Sequence, residues 1–299
     1  MHDVVTQDSI TMKDLGTLLG KLGAYMDIMQ GRWERAFLLA NWRPESKHSL
    51  ATVPVTPGMR SQARWWDRRI ITAMSRPARI PDSRRLSPAT SVHVFTDSAG
   101  GLGRPGSGFG AAIWTWPRSY VAYYWPEAIR KNIPVEGVKL SNKLMFLEAI
   151  AVLASVVAAP DKVRGKHITV HCDNAAAVFG YARGHSKELL AYSVLKGAVD
   201  VAAGLGASLS VNKIRRVSCV GALVADLMSK GDMPQALAYM EYADPAPGFL
   251  SRTLLKWIEH PTPTRVLGQA MLLELRAAGV PVMISFMVDE EVERLVVHS

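Results

Sequence analysis

The feature that most constrains the fold is an apolar run that ends in a carboxylate at residues 92–97. Valines and a phenylalanine precede Asp97, and a glycine-rich turn then leads to a second apolar run at residues 109–116. This pattern predicts a β-hairpin with an acid at the exit of its first strand. A lone acid at that place is usually a turn residue, so its meaning depends on the other acids of the chain.

Strand and helix patterns alternate downstream of this hairpin. The sequence predicts a third strand at residues 120–125, a helix at 142–158, a strand at 167–172 and, after two more helices, a strand at 207–214 and a helix at 220–228. Three strands in a hairpin series, followed by alternating helices and strands, predict an α/β fold. Its core would be a mixed five-stranded sheet flanked by helices.

Shifts in composition divide the chain into three parts. Residues 1–90 carry 14 basic and 8 acidic residues, which accounts for most of the net charge of +9. Prolines and arginines just before residue 91 mark a linker into the strand-rich part. We therefore predict a helical, basic N-terminal segment (1–90), an α/β domain (91–232) and a helical C-terminal extension (233–299).

The composition is that of a folded protein, with 48% hydrophobic and 20% charged residues. The two cysteines, Cys172 and Cys219, form no CxxC pair, which argues against a zinc site or a disulfide framework. The N-terminus has no signal-peptide pattern, and no apolar run is long enough to span a membrane. We therefore expect an intracellular protein, cytoplasmic or nuclear, without a membrane partner.

One predicted helix, at residues 59–74, carries arginines at four-residue spacing. Arg60, Arg64 and Arg68 would form a basic stripe on one helix face. A basic stripe suits contact with the phosphates of a nucleic acid, and it is equally typical of an ordinary solvated face. Both interpretations stay open.

Four acids belong to elements that this topology brings to one edge of the sheet. Asp97 and Asp173 end two strands that would be neighbours, whereas Glu148 and Asp226 lie on helices that would pack near those ends. Converging carboxylates raise each other's pKa unless a cation lies between them, and oxygen ligands favour Mg²⁺ or Mn²⁺ over Zn²⁺. Two such ions suit the in-line attack of water on a phosphodiester.

The segments around these acids resemble the active-site blocks of a known family. Four segments resemble the four active-site blocks of the ribonuclease H (RNase H) domain of retroelement reverse transcriptases, most clearly of the LTR and DIRS-like types. These segments are FTDSAGGLG, LEAIAVL, HCDNAAAV and VADLMSKGD. The resemblance covers residues 91–232. It implies that the catalytic, metal-binding carboxylates are Asp97, Glu148, Asp173 and Asp226, and that the cofactor is Mg²⁺ or Mn²⁺, as two ions.

The resemblance implies a metal-dependent endonuclease that hydrolyses the RNA strand of RNA–DNA hybrids. Such an enzyme would bind the hybrid by its shape, through 2′-hydroxyls and phosphates. The candidate contacts with the hybrid are Ser98, Asn174, Arg215 and Arg216 beside the acids, and Arg60, Arg64 and Arg68 in the N-terminal segment.

The N-terminal part resembles the thumb and connection segments that precede this domain in those polymerases, through the stretches TLLGKLGAYMDI and ARWWDRRI. No Y-x-D-D polymerase motif occurs in the chain. We therefore expect a piece that lacks the polymerase palm, and a separately encoded polymerase segment is a further expected partner.

Two departures from the family pattern lead to an alternative hypothesis. Many active relatives place a histidine in the loop before the last acid, where this chain has RRVSC at residues 215–219. Ala222 stands where an asparagine is common. The alternative is a catalytically silent RNase H-like module that binds nucleic acid or scaffolds a larger assembly.

Overall fold

A computed structural model of the chain describes most residues after position 90 and selected segments before it. The described residues are 6–28, 52–57, 59, 60, 63, 64, 90–99, 107–127, 129, 140–183, 186, 189–216, 218–240, 245–264 and 266–282. Arg68 and most of the predicted helix at residues 59–74 lie outside them. Within the described part, no helix combines the length and the apolar character needed to cross a bilayer.

The described part of the N-terminal segment contains a pair of short strands and one long helix. Strand β1 (Ser9–Thr11) pairs antiparallel with β2 (Thr52–Pro54), and helix α1 (Met12–Ile28) follows β1 directly. The Thr11 hydroxyl accepts a hydrogen bond from the N–H of Asp14 at 3.1 Å, which caps the helix. The sequence predicted a helical segment here. The two strands were missed because strands of three residues are too short to show a periodic pattern.

Within the described residues, the main sheet has six strands in the order β7-β6-β3-β4-β5-β8. The strands are β3 (Ser91–Ser98), β4 (Gly108–Ile113), β5 (Ser119–Tyr124), β6 (His167–Cys172), β7 (Ser208–Lys213) and β8 (Ala246–Pro247). The pairings of β3 with β4 and of β4 with β5 are antiparallel, and the other three pairings are parallel. The sequence predicted five strands, and the sixth, β8, adds a two-residue pairing to the edge of β5 that no sequence pattern reveals.

Helices flank this sheet within the described residues, some packed on the strands and some on other helices. They are α2 (Leu140–Ala158), α3 (Pro160–Val163), α4 (Ala175–Arg183), α5 (Leu189–Gly204), α6 (Val220–Ser229), α7 (Met233–Ala238), α8 (Arg252–Glu259) and α9 (Leu267–Ala277). The architecture is therefore a mixed α/β fold with a mostly parallel six-stranded sheet flanked by helices.

The main hydrophobic core lies on the face of the sheet that α2 covers. Val92 and Val94 of β3 point into it and are fully buried, whereas His93 between them is exposed, as alternation along a strand requires. Helix α2 is almost entirely apolar after its first turn, because the sheet on one side and α5 on the other enclose it. On the opposite face, α6 and α7 pack against β4 through a smaller cluster that includes Ala112 and Met228.

Helices α8 and α9 contribute to the main core. Ile258 of α8 and Met271 of α9 are fully buried in the same hydrophobic cluster as the strands and α2. Burial of apolar side chains is the main stabilising contribution to such a core, so these helices add to the stability of the α/β part. The predicted domain boundary after residue 232 stays a prediction.

Glu274 connects α9 to the first turn of α8. Its carboxylate accepts hydrogen bonds from Ser251 Oγ at 2.6 Å and from the N–H groups of Arg252 and Thr253 at 2.7 and 3.1 Å. We expect Glu274→Ala to lower the free energy of unfolding by about 1–2 kcal/mol, because a negative acceptor at a helix N-terminus satisfies donors that would otherwise lack partners. Urea denaturation measures this. Arg276→Ala, which truncates an exposed side chain of the same helix, is the control, and equal losses in both variants would contradict the cap.

Candidate metal centre

Asp97 and Asp173 lie at matching ends of two parallel strands. Strands β3 and β6 pair with Thr96 opposite Cys172, and the next residue along each chain is an acid. The carboxyl ends of neighbouring parallel strands are where α/β proteins place binding residues. The two acids are thus held side by side by the sheet itself.

Glu148 of α2 completes a three-carboxylate cluster with these two acids. One carboxylate oxygen from each of Asp97, Glu148 and Asp173 lies within 4.8 Å of the other two. Asp97 and Glu148 are buried, and Asp173 is partly exposed. Carboxylate oxygens are hard ligands of the kind that Mg²⁺ and Mn²⁺ prefer, and this group could hold a metal ion. The donor set therefore fits Mg²⁺ or Mn²⁺, the kind of ion that the sequence predicted.

Asp226 of α6 stands beside this cluster. Its side chain is only 8% exposed, and Lys230 Nζ lies 2.6 Å from its Oδ2 atom. Its Oδ1 atom is buried and has no hydrogen-bond partner among the described residues. Arg216 Nε, at 3.9 Å, is too distant to bond to it. Because a buried oxygen without a partner is costly, this atom is a second and independent sign that the site accommodates a cation.

Burial and mutual repulsion disfavour the charged forms of the two innermost acids. Burial raises the pKa of Glu148 well above its ordinary value, and the charges of Asp97 and Asp173 raise it further. The pKa of Asp97 is raised as well, chiefly by burial and then by Asp173 and Asp226, while a hydrogen bond from Ser229 opposes the shift. A bound cation would favour the ionised forms of both groups.

Uncharged donors that sequence reasoning missed hold these acids in place. Ser229 Oγ donates a hydrogen bond to Asp97 Oδ2. Cys172 Sγ lies 3.6 Å from Glu148 Oε2, and the backbone N–H of Ser98 donates to Glu148 Oε1 at 3.4 Å. The position of Ser229 beside the acids could have been predicted, because Ser229 follows Asp226 by three residues and so lies on the same helix face.

Arg216 lies against the cluster. Its Nε donates a hydrogen bond to Asp173 Oδ2 at 2.9 Å, and its nitrogens lie 3.9 Å from Asp226 Oδ1 and 4.0 Å from Asp97 Oδ1. The hydrogen bond and charge of Asp173 raise the pKa of this guanidinium. Arg215, its neighbour, is exposed. The sequence predicted phosphate contacts for both arginines and showed no sign of the contact with the acids.

Asn174 and Ser98, the other two candidate contacts beside the acids, have roles within the fold. Asn174 Oδ1 accepts a hydrogen bond from the N–H of Ala177 at 3.0 Å and so caps helix α4. The Ser98 side chain is buried. An asparagine directly before a helical run is a recognisable cap signal, so the role of Asn174 could have been predicted. Their contacts with a hybrid stay predictions.

The three arginines of the predicted basic stripe differ in their surroundings. Arg60 forms an ion pair with Asp8 at 2.7 Å, and the Asp8 side chain is fully exposed. Arg64 is exposed. Arg68 lies outside the described residues. The stripe as a nucleic-acid contact stays a prediction.

Comparison with known proteins gives a distant structural likeness. No family model matches the chain, and no curated protein matches it. Among solved structures, the chain is similar to the N-terminal RNase H domain of Rv2228c from Mycobacterium tuberculosis, solved as a fusion with maltose-binding protein. The sequence identity is 15% and the TM-score is 0.31, over 50% of this chain and 97% of that chain. A TM-score this low supports no conclusion about function. A proposed function therefore has to be supported by the carboxylate geometry.

Proposed function

We propose that this chain is a metal-dependent endonuclease that hydrolyses the RNA strand of RNA–DNA hybrids. The observation that carries the proposal is the cluster of Asp97, Glu148 and Asp173, whose oxygens lie within 4.8 Å of one another at the carboxyl ends of parallel strands. The sequence blocks around these acids resemble those of retroelement RNase H domains. A retroelement origin of LTR or DIRS-like type is part of the same proposal and is supported by those blocks alone.

The proposed metal ligands are the four carboxylates. Asp97, Glu148 and Asp173 would hold one ion, and Asp226 together with Asp97 would hold a second. Bound Mg²⁺ or Mn²⁺ supplies an activated water and stabilises charge on the leaving oxygen. The chain itself orients the acids, because Ser229 donates to Asp97 and the burial of Glu148 keeps bulk water from the inner side of the site.

Exposed polar groups around the cluster would bind the hybrid. Arg215 and Arg216 are exposed on the loop that follows β7, and Arg216 lies against the acids. Arginine contacts phosphate through a planar pair of N–H groups, which suits a nucleic-acid backbone. The partly exposed amide of Asn174 adjoins Asp173 and could reach a 2′-hydroxyl. Such contacts recognise the shape and charge of the hybrid and not its base sequence.

A catalytically silent nucleic-acid-binding module is the second candidate, and one contact favours it. The guanidinium of Arg216 lies within 4.0 Å of Asp97, Asp173 and Asp226, so the acids are partly neutralised by the chain itself. The loop at residues 215–219 also lacks the histidine that many active relatives have. In this case the chain would still bind the hybrid but would not hydrolyse it.

Cleavage of a labelled RNA–DNA hybrid by the full chain separates the two candidates. With Mg²⁺ the parent should cut the RNA strand alone, and with a chelator it should not cut. Asp173→Asn should lower the rate about 10³-fold or more, since loss of a metal ligand removes several kcal/mol of transition-state stabilisation. Double-stranded DNA and single-stranded RNA are the substrate controls. No cutting by the parent, with hybrid binding retained in a gel-shift experiment, would overturn the nuclease and leave the binding module.

A further inference from the structure

We infer that Arg216 is an internal counter-cation of the carboxylate cluster, which competes with divalent ions for the acids and turns to a substrate phosphate when those ions bind. The inference rests on the proposed function, because it assigns a regulatory role at the same site. It states that the acids of the cluster pair either with Arg216 or with a divalent ion. It goes beyond the predicted phosphate contact, since it makes Arg216 a determinant of metal affinity.

The position of the guanidinium carries the first step. Arg216 approaches acids from three separate elements: Asp97 at the end of β3, Asp173 after β6 and Asp226 on α6. Its contact with Asp173 is a hydrogen bond of 2.9 Å, whereas the other two distances, 4.0 and 3.9 Å, are longer than hydrogen bonds. The guanidinium is therefore paired with Asp173 and lies close to two further acids, as expected for a shared counter-ion.

The difference in burial between the acids and the arginine carries the second step. The side chains of Asp97, Asp173 and Asp226 are 6%, 18% and 8% exposed, whereas that of Arg216 is 60% exposed. The acids are held by the carboxyl ends of β3 and β6 and by α6. Arg216 lies on a surface loop and is 60% exposed, so its own charge stays hydrated when it leaves the acids, which then require another cation. Arg216, and not the acids, would therefore move away when a metal ion binds.

Charge repulsion makes the two cations mutually exclusive. A divalent ion bound between Asp97 and Asp173 would lie within a few ångströms of the guanidinium, where like charges repel strongly. Whatever removes the guanidinium must therefore raise the affinity for the metal, and the metal must in turn release the guanidinium. The released side chain stays next to the site, where a phosphate group of the substrate offers a bidentate partner. Metal and hybrid would then bind cooperatively.

Mg²⁺ binding by the metal-free full chain tests the competition without requiring activity. Isothermal titration calorimetry should show a dissociation constant about three- to tenfold lower for Arg216→Gln than for the parent, the factor expected for loss of a partly exposed ion pair. Arg215→Gln is the matched control, because it removes the same charge one residue away with no ion pair to the cluster among the described residues. Its dissociation constant should stay within about twofold of the parent value.

A second variant and a kinetic readout separate this role from a general structural effect. Arg216→Lys keeps the charge but replaces the planar fork by one ammonium group, so its Mg²⁺ affinity should lie between those of the parent and Arg216→Gln. At saturating Mg²⁺, Arg216→Gln should raise the KM for the hybrid about tenfold, as loss of a charged hydrogen bond to phosphate predicts. Tighter metal binding together with weaker substrate binding is a combination that misfolding does not produce.

The outcomes distinguish failure of the inference from failure of the proposed function. If Asp97→Asn abolishes Mg²⁺ binding but Arg216→Gln binds Mg²⁺ no more tightly than the parent, the metal centre stands and the counter-cation role is overturned. The counter-cation role is also overturned if Arg215→Gln tightens Mg²⁺ binding as much as Arg216→Gln does. If neither the parent nor any arginine variant binds Mg²⁺, both proposals fail. Binding by Arg216→Gln alone would support the competition most strongly.

Discussion

Replacing Glu148 by Gln is expected to abolish metal-dependent cleavage and, at the same time, to stabilise the metal-free protein. Both effects have one cause. Glu148 is 3% exposed, and one of its carboxylate oxygens lies within 4.8 Å of oxygens of Asp97 and Asp173. Loss of this ligand should lower the rate of hybrid cleavage about 10³-fold or more. Conversely, the neutral amide of nearly the same shape removes a buried charge that faces two others.

The gain in stability should depend on pH in a defined direction. Burial, followed by the charges of Asp97 and Asp173, raises the folded-state pKa of Glu148 well above its ordinary value of 4.5. A carboxyl group of this kind stabilises the fold fully below its unfolded-state pKa and loses that contribution as the pH rises through the folded-state pKa. The metal-free parent should therefore match Glu148→Gln below the unfolded-state pKa and become progressively less stable than the variant as the pH rises through the folded-state pKa.

Mg²⁺ should reverse this order of stability. An ion that binds only the native state raises the unfolding temperature by mass action, and the variant without the ligand should show little of that increase. Thermal unfolding followed by circular dichroism, with EDTA and with Mg²⁺, measures both effects. Glu259→Gln, which neutralises an exposed acid of α8, is the control. It should change neither the unfolding temperature in EDTA nor its increase with Mg²⁺ appreciably. A Glu148→Gln variant less stable than the parent in EDTA at pH 8 would contradict the expectation.

Replacing Gly110 by Ala is expected to destabilise the fold and to weaken the metal centre, although it changes no acid. Gly110 of β4 pairs directly with Asp97 of β3. A Cβ atom at this position would lie 2.4 Å from Met228 Cβ and 2.7 Å from the carbonyl oxygen of Ala225, both on α6. Because these atoms belong to or adjoin the helix backbone, α6 must shift as a unit and carry Asp226 with it. The expected cost is about 1–3 kcal/mol, as for other overpacked sites.

Urea denaturation and Mg²⁺ titration test this prediction together. Gly16→Ala is the control, because a Cβ at Gly16 meets nothing within 4 Å in helix α1. The control should raise the free energy of unfolding by about 0.5–1 kcal/mol through the higher helix propensity of alanine. We expect weaker Mg²⁺ binding for Gly110→Ala alone. If Gly110→Ala matched the parent in stability and in Mg²⁺ affinity, the close packing of α6 on β4 would not be required for the site.

Much of the α/β part could be predicted because its signals are local. The strand at residues 167–172 has the predicted bounds, and the helix predicted at 142–158 differs from α2 by two residues at its start. Apolar alternation and helical spacing act over a few residues, so a sequence displays them directly. The topology rules then place the acids, since parallel neighbours bring their carboxyl ends to the same edge of a sheet.

The sequence by itself determined the α/β class, the order of its main strands and helices, and which acids stand near one edge of the sheet. Tertiary structure alone decided the β8 pairing, the packing of α8 and α9 on the core, and the partners of each acid. Ser229 and Asp97 are 132 positions apart, and Arg216 and Asp173 are 43 apart. No spacing rule connects such pairs, because their contact depends on how α6 and the loop after β7 pack against the finished sheet.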